Sequence, residues 1–331
     1  GSEMCIRDRD KLRYVVYGAG GVGGVIGARL FQAGFEVTLI ARGEHARAMR
    51  TRGLHFVAPQ EDVTLPVDVV EHPREANIDA RTMVLLCMKS QHTLAALEDL
   101  SRSVPAETPV ACVQNGVANE PLALRFFRHT YATLVNLPAM FLNPGEVVCQ
   151  AQGHSGILDS GCFPHGVDAT VQQLTADLTT AGFSARPQQR VMRQKYAKLL
   201  MNLYNILQAG VRDYENTGEL RRLIREEALA CYAAASVDCA SKAEVQARQQ
   251  DVYRLASIAG YERTAGSSWQ SLQRGTGDIE TEYLNGEICW LGRMYNVPTP
   301  ANDACVALGR ELISAGAGPG LVNAAELQAR L

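Results

Sequence analysis

The sequence lacks an excess of charge of one sign, a long hydrophobic run and any regular arrangement of cysteines. Its 331 residues include 32 Lys and Arg against 35 Asp and Glu, a net charge of −3. Without a basic excess no field attracts a phosphate backbone, which argues against nucleic-acid binding. No hydrophobic run approaches the roughly 18 residues that a membrane-spanning helix needs. We therefore expect neither a nucleic-acid nor a membrane partner.

The nine cysteines are odd in number and scattered, and no two of them form a C-x-x-C pair. This distribution has neither the spacing of a zinc site nor that of a disulfide framework. Cys87 and Cys112 fall in predicted strands and are expected to be buried thiols. The first eleven residues are polar and lack the apolar core of a signal peptide. We therefore expect a cytoplasmic protein in a reducing compartment, with no metal site.

The stretch from Tyr14 to Gly24 predicts a buried strand, a glycine turn and the first turn of a helix. Gly18, Gly20 and Gly23 have the G-x-G-x-x-G spacing. The first glycine allows the tight turn, the second lets the backbone approach a pyrophosphate, and the third lets the helix lie against the strand. The start of the helix then offers N–H groups and a positive dipole end to phosphates.

A helix predicted over 22–33 and a strand predicted over 36–41 follow this loop, which is the context of a dinucleotide-binding βαβ unit. The alternative is a glycine-rich loop that packs two elements together and binds no ligand. We expect the loop to hold the cofactor through Gly18, Ala19, Gly20, Gly21, Val22 and Gly23.

The end of the second strand indicates which dinucleotide binds. An acidic residue about 20 positions after the glycines usually reads the NAD ribose, but here Arg42 stands at that place. The planar guanidinium suits a 2′-phosphate, whereas a carboxylate would repel it. We therefore predict NADP(H) rather than NAD(H). The alternative is that Arg42 is an ordinary surface arginine, and the nearby acidic residue Glu44 favours this alternative.

Two further hydrophobic strands, predicted over 82–88 and 110–113, lead into Lys89 and Asn115. Ligands of an open α/β sheet bind at the carboxyl ends of its strands. With Gly18 and Arg42, these residues predict one ligand-binding edge. Taken alone, Lys89 is also explained as a solvated loop lysine and Asn115 as part of a plain turn.

The rest of the chain divides into a β-rich and a helical part. Strands are predicted over 135–142, 147–150 and 156–159, as extensions of the sheet on one side, then a helix over 167–181 and a short strand over 184–187. From Arg190 onward we predict no strand. The predicted helices cover 191–208, 219–236, 242–258, 278–295 and 302–315.

These patterns predict an α/β fold, in which a Rossmann-type doubly wound domain over 12–188 precedes an all-α domain over 189–331. The length suits two domains with a sizeable core. An apolar helical domain of this kind often dimerises, so a homodimer is one expected assembly.

Lys198 and Asn202 lie four residues apart in the predicted helix over 191–208, on one stripe with apolar neighbours. A lysine partly desolvated in such a stripe has a lowered pKa and is able to donate a proton to a developing alkoxide. The alternative is a lysine whose stem covers the core while its amine reaches water.

Two shorter segments offer polar groups. Glu280 and Glu282 are two residues apart and cannot share one helical face, so one is expected to point inward while the other is solvated. The alternative is that this segment is the solvated start of a helix, where acidic side chains interact favourably with the helix dipole. Ser267 and Ser268 are suited either to capping a helix, which we favour, or to binding a substrate carboxylate.

Together these segments resemble the ketopantoate reductases (2-dehydropantoate 2-reductases) over about residues 12–315. The resemblance rests on five segments in the family's order and spacing: Gly18 to Gly24, Met88-Lys89, Gln114-Asn115-Gly116, Lys198-Leu199-Leu200-Met201-Asn202 and Glu280-x-x-Tyr283-Leu284-Asn285-Gly286. It implies hydride transfer from NADPH to a 2-keto acid.

The resemblance also implies roles for individual residues. Lys198 resembles the family's proton donor and Glu280 its cleft carboxylate, which also borders the cofactor. The implied substrate binders are Asn202, Ser268, Asn216 and Asn115. Lys89 and Asn115 resemble residues that line the cofactor cleft, and Arg42 the reader of the 2′-phosphate.

One position departs from the family pattern. The lysine helix usually carries a second asparagine four residues after the first, where this chain has Ile206. We therefore keep three functions open: reduction of a 2-keto acid, preferably 2-dehydropantoate; reduction of another ketone or an imine; and a non-enzymatic NADP-binding sensor.

Overall fold

A computed structural model describes residues 12–262, 266–275 and 278–331. They form two compact units. The first unit comprises residues 12–114, 119–192 and 246–261, and the second comprises 115–118, 193–245 and the described residues after 261. A nucleotide-binding part over 12–188 and a catalytic part over 189–331 stay a proposal about function.

The strands of the described residues are β1 (Arg13–Tyr17), β2 (Val37–Ile40), β3 (Leu54–Ala58), β4 (Glu61–Leu65), β5 (Asp68–Val70), β6 (Thr82–Leu86), β7 (Val110–Cys112), β8 (Thr130–Thr133), β9 (Ala139–Met140), β10 (Glu146–Cys149), β11 (Ala151–Gly153), β12 (Ser160–Cys162) and β13 (Tyr253–Leu255). The α-helices are α1 (Gly21–Gln32), α2 (Gly43–Arg52), α3 (Thr93–Ser101), α4 (Asn119–Leu124), α5 (Ala169–Thr180), α6 (Val191–Asn202), α7 (Asn205–Gly210), α8 (Gly218–Ala234), α9 (Lys242–Gln249), α10 (Ser267–Gln273), α11 (Asn285–Tyr295), α12 (Pro300–Ser314) and α13 (Ala324–Gln328).

The main sheet of the first unit has the strand order β12-β8-β7-β6-β1-β2-β5. Its strands are parallel except for β12, which runs antiparallel to β8. Successive side chains of β1 face opposite sides. Tyr14 and Val16 join a core with α1 and α5, whereas Val15 and Tyr17 join one with α3 and α4. Helices therefore cover both faces, and the predicted doubly wound fold is confirmed.

Helix α1 also packs against a second sheet, with the order β4-β3-β10-β9. Its small residues make both contacts possible. A Cβ on Gly23 would overlap the Gly18 carbonyl oxygen, and one on Gly24 would lie 2.5 Å from Val147 Cγ1 in β10. Glycine in a helix interior costs about 0.5–1 kcal/mol relative to alanine, which the close packing on both sides offsets.

The strand predictions for the middle of the chain were partly wrong. Of the strand expected over 135–142, only β9 forms, and Pro138 just before it has no N–H to donate to a ladder. Residues 156–159 make isolated bridges through Ile157, and the strand begins later, as β12. Residues 184–187 likewise make only bridges. β10 joins the second sheet rather than extending the main one.

The expectation of no strand after Arg190 was also wrong. The helix predicted over 242–258 ends at Gln249, and Asp251 has a φ of 56°, which does not continue a helix. β13 then pairs antiparallel with β11. This segment belongs to the first unit, because its partners are strands of that unit.

A buried ion pair holds the same segment. Arg248 of α9 donates from Nε and Nη2 to the two Asp159 carboxylate oxygens, at 2.7 and 2.6 Å. Its Nη2 also donates to the Ser184 carbonyl oxygen at 3.0 Å, and the Arg186 N–H donates to Asp159 at 3.0 Å. The two charged side chains are 6% and 0% exposed.

The second unit is mainly helical, as predicted. The helix expected over 191–208 is interrupted by a turn at Leu203 and Tyr204, so it forms α6 and α7. The helix expected over 278–295 begins only at Asn285, after a 3₁₀ turn at Thr281–Tyr283. Among the described residues, no helix is long and apolar enough to cross a membrane.

We predict that removing one partner of the Arg248–Asp159 pair destabilises the first unit strongly. Arg248→Met should lower the free energy of unfolding by about 3–5 kcal/mol, because a buried carboxylate loses its counter-charge. Urea denaturation measures this change. The matched control is the double variant Asp159→Asn/Arg248→Met, in which no buried charge is left. If the double variant loses more stability than Arg248→Met, the ion pair is not the source of the effect.

Candidate active site

The glycine loop of the first unit has the geometry that its spacing predicts. Gly18 has a φ of 98°, and a Cβ there would lie 2.6 Å from the Met88 backbone nitrogen. The Gly18 N–H donates to the Ile40 carbonyl oxygen at 3.0 Å, which ties the loop to the end of β2. Gly23 allows the close approach of α1 to β1 described above. The first and third glycines therefore serve the fold.

Gly20 is different, because neither conformation nor packing requires a glycine there. It precedes α1 with a φ of −69°, which any residue adopts. The nearest protein atom to a Cβ built on it is Phe141 Cδ1 at 3.9 Å, an ordinary contact. The first N–H groups of α1 have no partner within the helix. The open space at Gly20 therefore fits a pyrophosphate on this loop.

The strand register aligns the polar strand ends. Tyr17 at the end of β1 pairs with Ile40 of β2 and with Leu86 of β6, and Leu86 pairs with Cys112 of β7. Because these strands are parallel, their carboxyl ends lie along the same edge of the sheet. The Gly18 loop and the residues that follow β2, β6 and β7 therefore leave the sheet side by side.

Arg42 immediately precedes α2, and its side chain is 64% exposed. Its guanidinium donates to the Tyr17 hydroxyl at 3.3 Å and lies 3.8 Å from the Asp99 carboxylate. Burial raises the pKa of Tyr17, so its hydroxyl stays neutral beside the arginine. This contact holds the guanidinium at the sheet edge while most of it remains accessible to a phosphate.

Gln114 ties the ends of β6 and β7 together. Its side-chain amide donates to the Met88 carbonyl oxygen and to the Thr93 hydroxyl, both at 2.8 Å, and Thr93 donates to Asn119 at 2.9 Å. These polar side chains are almost fully buried. The network fixes the backbone just before Lys89, which is half-buried. Gln114 was quoted in the family motif without a role, and its hydrogen bonds show that it holds the backbone before Lys89.

Lys198 and Asn202 share one face at the end of α6, in the second unit. Lys198 is half-buried, and desolvation lowers its pKa. Asn202 is 8% exposed, and its buried Oδ1 has no hydrogen-bond partner among the residues that the structure describes. A buried acceptor without a donor is costly. The pair therefore combines an amine whose pKa is lowered with a buried hydrogen-bond acceptor.

Asn285 stabilises the end of the lysine helix, a role that was not predicted when the residue was quoted as part of the family motif. Its buried side-chain amide donates to the Leu203 carbonyl oxygen at 3.2 Å and to Asn302 Oδ1 at 3.0 Å. Asn302 donates to Glu227 at 2.7 Å. The network lies directly after Asn202, where α6 ends.

Ser267 and Ser268 do not cap a helix, contrary to the preferred interpretation. Gly266 precedes α10, and both serines lie within the helix. Ser268 is buried, whereas Ser267 is exposed. α10 packs on α7, where a Cβ on Gly266 would lie 3.4 Å from Asn205 Oδ1. Residues 263–265, just before α10, lie outside the described part of the chain.

Glu280 and Glu282 differ as the two-residue spacing predicts. Glu280 is 8% exposed and precedes the 3₁₀ turn at Thr281–Tyr283. Glu282 is exposed and forms an ion pair with Arg310 at 2.5 Å. A Cβ on Gly116 would lie 3.2 Å from the Tyr283 carbonyl oxygen. The second unit therefore brings the turn that carries Asn115 against the turn that follows Glu280.

Asn216 and Ile206 differ in exposure. Asn216 is exposed, and its amide donates to Asp213 at 2.9 Å. Its role in substrate binding stays a prediction. Ile206 is 1% exposed in α7. Because α6 and α7 are separate helices, the helical spacing from Asn202 does not assign a face to Asn205 or Ile206.

The comparisons with known proteins agree on one family over most of the chain. The family described as Ketopantoate reductase PanE/ApbA matches residues 14–162, and its C-terminal counterpart matches 190–312. A 2-dehydropantoate 2-reductase of Mesorhizobium japonicum is 26% identical, over 91% of this chain and 98% of that protein. The chain therefore belongs to the ketopantoate reductase family, a family of oxidoreductases, as the sequence resemblance predicted.

Solved structures share the fold. A PanE/ApbA family ketopantoate reductase from Ralstonia eutropha has a TM-score of 0.75 at 26% identity, over 92% of this chain and 99% of that one. D-mandelate dehydrogenase, solved with NADH and anilino(oxo)acetate, has a TM-score of 0.77 at 23% identity over the same shares. Family membership supports a nucleotide cofactor.

Among the described residues, no cluster of three or more His, Cys, Asp and Glu could hold a metal ion.

We predict that alanine at two glycines of the loop affects different properties, the stability at Gly23 and the NADPH affinity at Gly20. Gly23→Ala should lower the free energy of unfolding by about 1–3 kcal/mol, because its methyl group overlaps the Gly18 carbonyl. Gly20→Ala should change it by less than about 0.5 kcal/mol, yet weaken NADPH binding about tenfold or more. Thermal denaturation and NADPH fluorescence titration separate the two effects. Unchanged NADPH affinity in Gly20→Ala would contradict a pyrophosphate at this loop.

Proposed function

We propose that this protein is an NADPH-dependent reductase of a small 2-keto acid, with 2-dehydropantoate as its preferred substrate and pantoate as the product. The observation that carries the proposal is the pair at the end of α6. Lys198 has a pKa lowered by burial, and within the described part of the chain the buried Asn202 Oδ1 one turn away has no hydrogen-bond partner. Membership of the ketopantoate reductase family supports the same reaction.

The bound dinucleotide supplies the hydride that adds to the keto carbon. Lys198 donates a proton from its ammonium group to the keto oxygen, so the carbonyl becomes a secondary alcohol. Water then returns a proton to the amine. Desolvation makes the ammonium a stronger acid, which brings it closer to the pKa range in which proton donation near neutral pH is efficient.

Other polar groups of the second unit are assigned to the substrate and to the lysine. Asn202 Oδ1 accepts a hydrogen bond from a hydroxyl group of the substrate or product. Ser268 donates to the substrate carboxylate, and Asn115 and Asn216 complete the binding residues. The Glu280 carboxylate orients the Lys198 ammonium and borders the cofactor. Burial of Asn202, Ser268 and Glu280 strengthens their interactions, because the effective dielectric is lower than in water.

The cofactor is assigned to the edge of the main sheet. The loop from Gly18 to Gly23 holds the pyrophosphate, and Lys89 lies beside the cofactor. Arg42 binds the 2′-phosphate through its exposed guanidinium, which makes charge-assisted hydrogen bonds to phosphate oxygens.

A different 2-keto acid is the second candidate substrate. Ile206 replaces the family's second asparagine, and D-mandelate dehydrogenase shares the fold. Both observations favour a substrate whose side chain is less polar than that of 2-dehydropantoate. An imine substrate and a sensor that only binds NADP are the remaining alternatives.

A substrate panel with NADPH tests the proposed reaction. We expect oxidation of NADPH with 2-dehydropantoate at a higher kcat/KM than with phenylglyoxylate or a cyclic imine. Lys198→Met should lower kcat by about 10²–10⁴-fold and leave the NADPH dissociation constant unchanged. Lys242→Met, at an exposed lysine of α9, is the matched control. Equal turnover in Lys198→Met would refute the proton-donor role.

The pH profile offers a second test of Lys198. Reduction needs the protonated amine, so kcat should fall as the pH rises through the lysine pKa. Because burial lowers that pKa, the alkaline limb should lie below pH 10.5, the usual value for lysine. The substrate panel described above also tests the sensor alternative. If the protein binds NADPH but neither binds nor reduces any substrate of the panel, a sensor is favoured.

We predict that Arg42→Ala weakens NADPH binding about tenfold or more, because a charge-assisted contact to the 2′-phosphate is lost. NADH has no such phosphate, and its dissociation constant should change by less than about twofold. Fluorescence titration with both dinucleotides measures this difference. Arg47→Ala, at an exposed arginine one turn further along α2, is the control. Equal losses for NADPH and NADH would mean that Arg42 does not read the phosphate.

A further inference from the structure

His45 connects the glycine loop to a second loop through both of its ring nitrogens. Nε2 lies 2.7 Å from the Ala19 carbonyl oxygen. The Gly145 N–H donates to Nδ1 at 2.8 Å. An N–H group cannot accept a hydrogen bond, so Nδ1 must be unprotonated and Nε2 must carry the proton. The ring is therefore a neutral imidazole that donates to Ala19 and accepts from Gly145.

The surroundings of the ring favour this neutral form and hold it in place. Burial lowers the pKa of His45, so the ring stays uncharged at neutral pH. The ring of Phe141 packs against it, with 4.4 Å between the ring centroids. Gly145 has a φ of 84°, and a Cβ there would lie 2.9 Å from Ala48 Cβ on α2. The close approach of this loop to α2 therefore requires a glycine.

The bond to Ala19 controls a peptide that the sheet does not hold. The Gly18 and Ala19 N–H groups both donate to the Ile40 carbonyl oxygen, at 3.0 and 3.3 Å. The next peptide group joins the Ala19 carbonyl to the Gly20 N–H. In a trans peptide these two groups point in opposite directions. A donor that fixes the carbonyl on one side therefore sets the direction of the N–H on the other.

The position of His45 in the chain links the two ends of the proposed cofactor site. It lies in the first turn of α2, three residues after Arg42. The start of α2 therefore carries both the residue assigned to the 2′-phosphate, just before the helix, and the residue that contacts the glycine loop, in its first turn.

We propose that His45 is a positioning residue for the dinucleotide: its Nε2–H fixes the Ala19–Gly20 peptide so that the Gly20 N–H is presented to the pyrophosphate. The inference rests on the proposed dinucleotide site and adds a residue that neither the motif nor the family resemblance singled out. The pyrophosphate is common to NADPH and NADH, so His45 affects both cofactors, whereas Arg42 affects only the phosphorylated one.

Two conservative variants separate the two hydrogen bonds of the ring. His45→Gln places an amide nitrogen near the position of Nε2 and retains the donor to Ala19. His45→Asn places an amide oxygen near the position of Nδ1 and retains the acceptor for Gly145, but it loses the bond to Ala19. Fluorescence titration gives the dissociation constants of NADPH and NADH, and thermal denaturation gives Tm for each variant.

We expect His45→Asn to weaken NADPH and NADH about tenfold each, which corresponds to one hydrogen bond, and His45→Gln to stay within about threefold of the wild type. Comparable affinity losses in both variants, in proportion to their Tm losses, would mean that His45 is only structural and would overturn the proposal. So would unchanged affinity in His45→Asn. If the wild-type protein bound neither dinucleotide, the proposed function would fail together with this inference.

Discussion

The architecture of the first unit depends on how closely α1 approaches β1. Any side chain at Gly23 would overlap the Gly18 carbonyl oxygen, so the helix begins directly above the end of the strand. Its N-terminal N–H groups then face the edge where β1, β2, β6 and β7 end in register. Gly24 allows the second sheet to pack on the other side of the helix. The helix is thereby held from both sides, so its N-terminal N–H groups keep a fixed direction.

The polar groups around this edge are held by hydrogen bonds from neighbouring side chains. Tyr17 holds Arg42, Gln114 holds the backbone before Lys89, and His45 holds the Ala19 carbonyl. In the second unit Asn285 does the same at the end of the lysine helix. Positioning of this kind lowers the entropy that ligand binding costs, because the binding groups are ordered beforehand. Burial of Lys198, and of an Asn202 Oδ1 that no described residue contacts by a hydrogen bond, costs stability.

Local sequence patterns predicted several elements of the fold. The hydrophobic strands, the helices on both faces and the roles of Gly18 and Gly23 follow from spacing within a few residues. The spacing of Glu280 and Glu282 predicted that only one acid is buried, but it did not tell which. The prediction of one continuous helix over 191–208 was wrong, because the turn at Leu203 separates α6 from α7. His45 carried no signal in the motif, since both of its partners are backbone groups remote in sequence.

The amino-acid sequence by itself determined the doubly wound sheet, the glycine loop and the family, because periodicity and motif spacing are local properties of the chain. Only the tertiary structure decided that β10 joins the second sheet, that β13 pairs with β11, and that Arg248 neutralises Asp159. A strand pairs with whichever partner the packing brings to its edge, and a buried charge is satisfied by a residue about ninety positions away. No local pattern encodes such contacts, since their free energy exists only once distant segments have met.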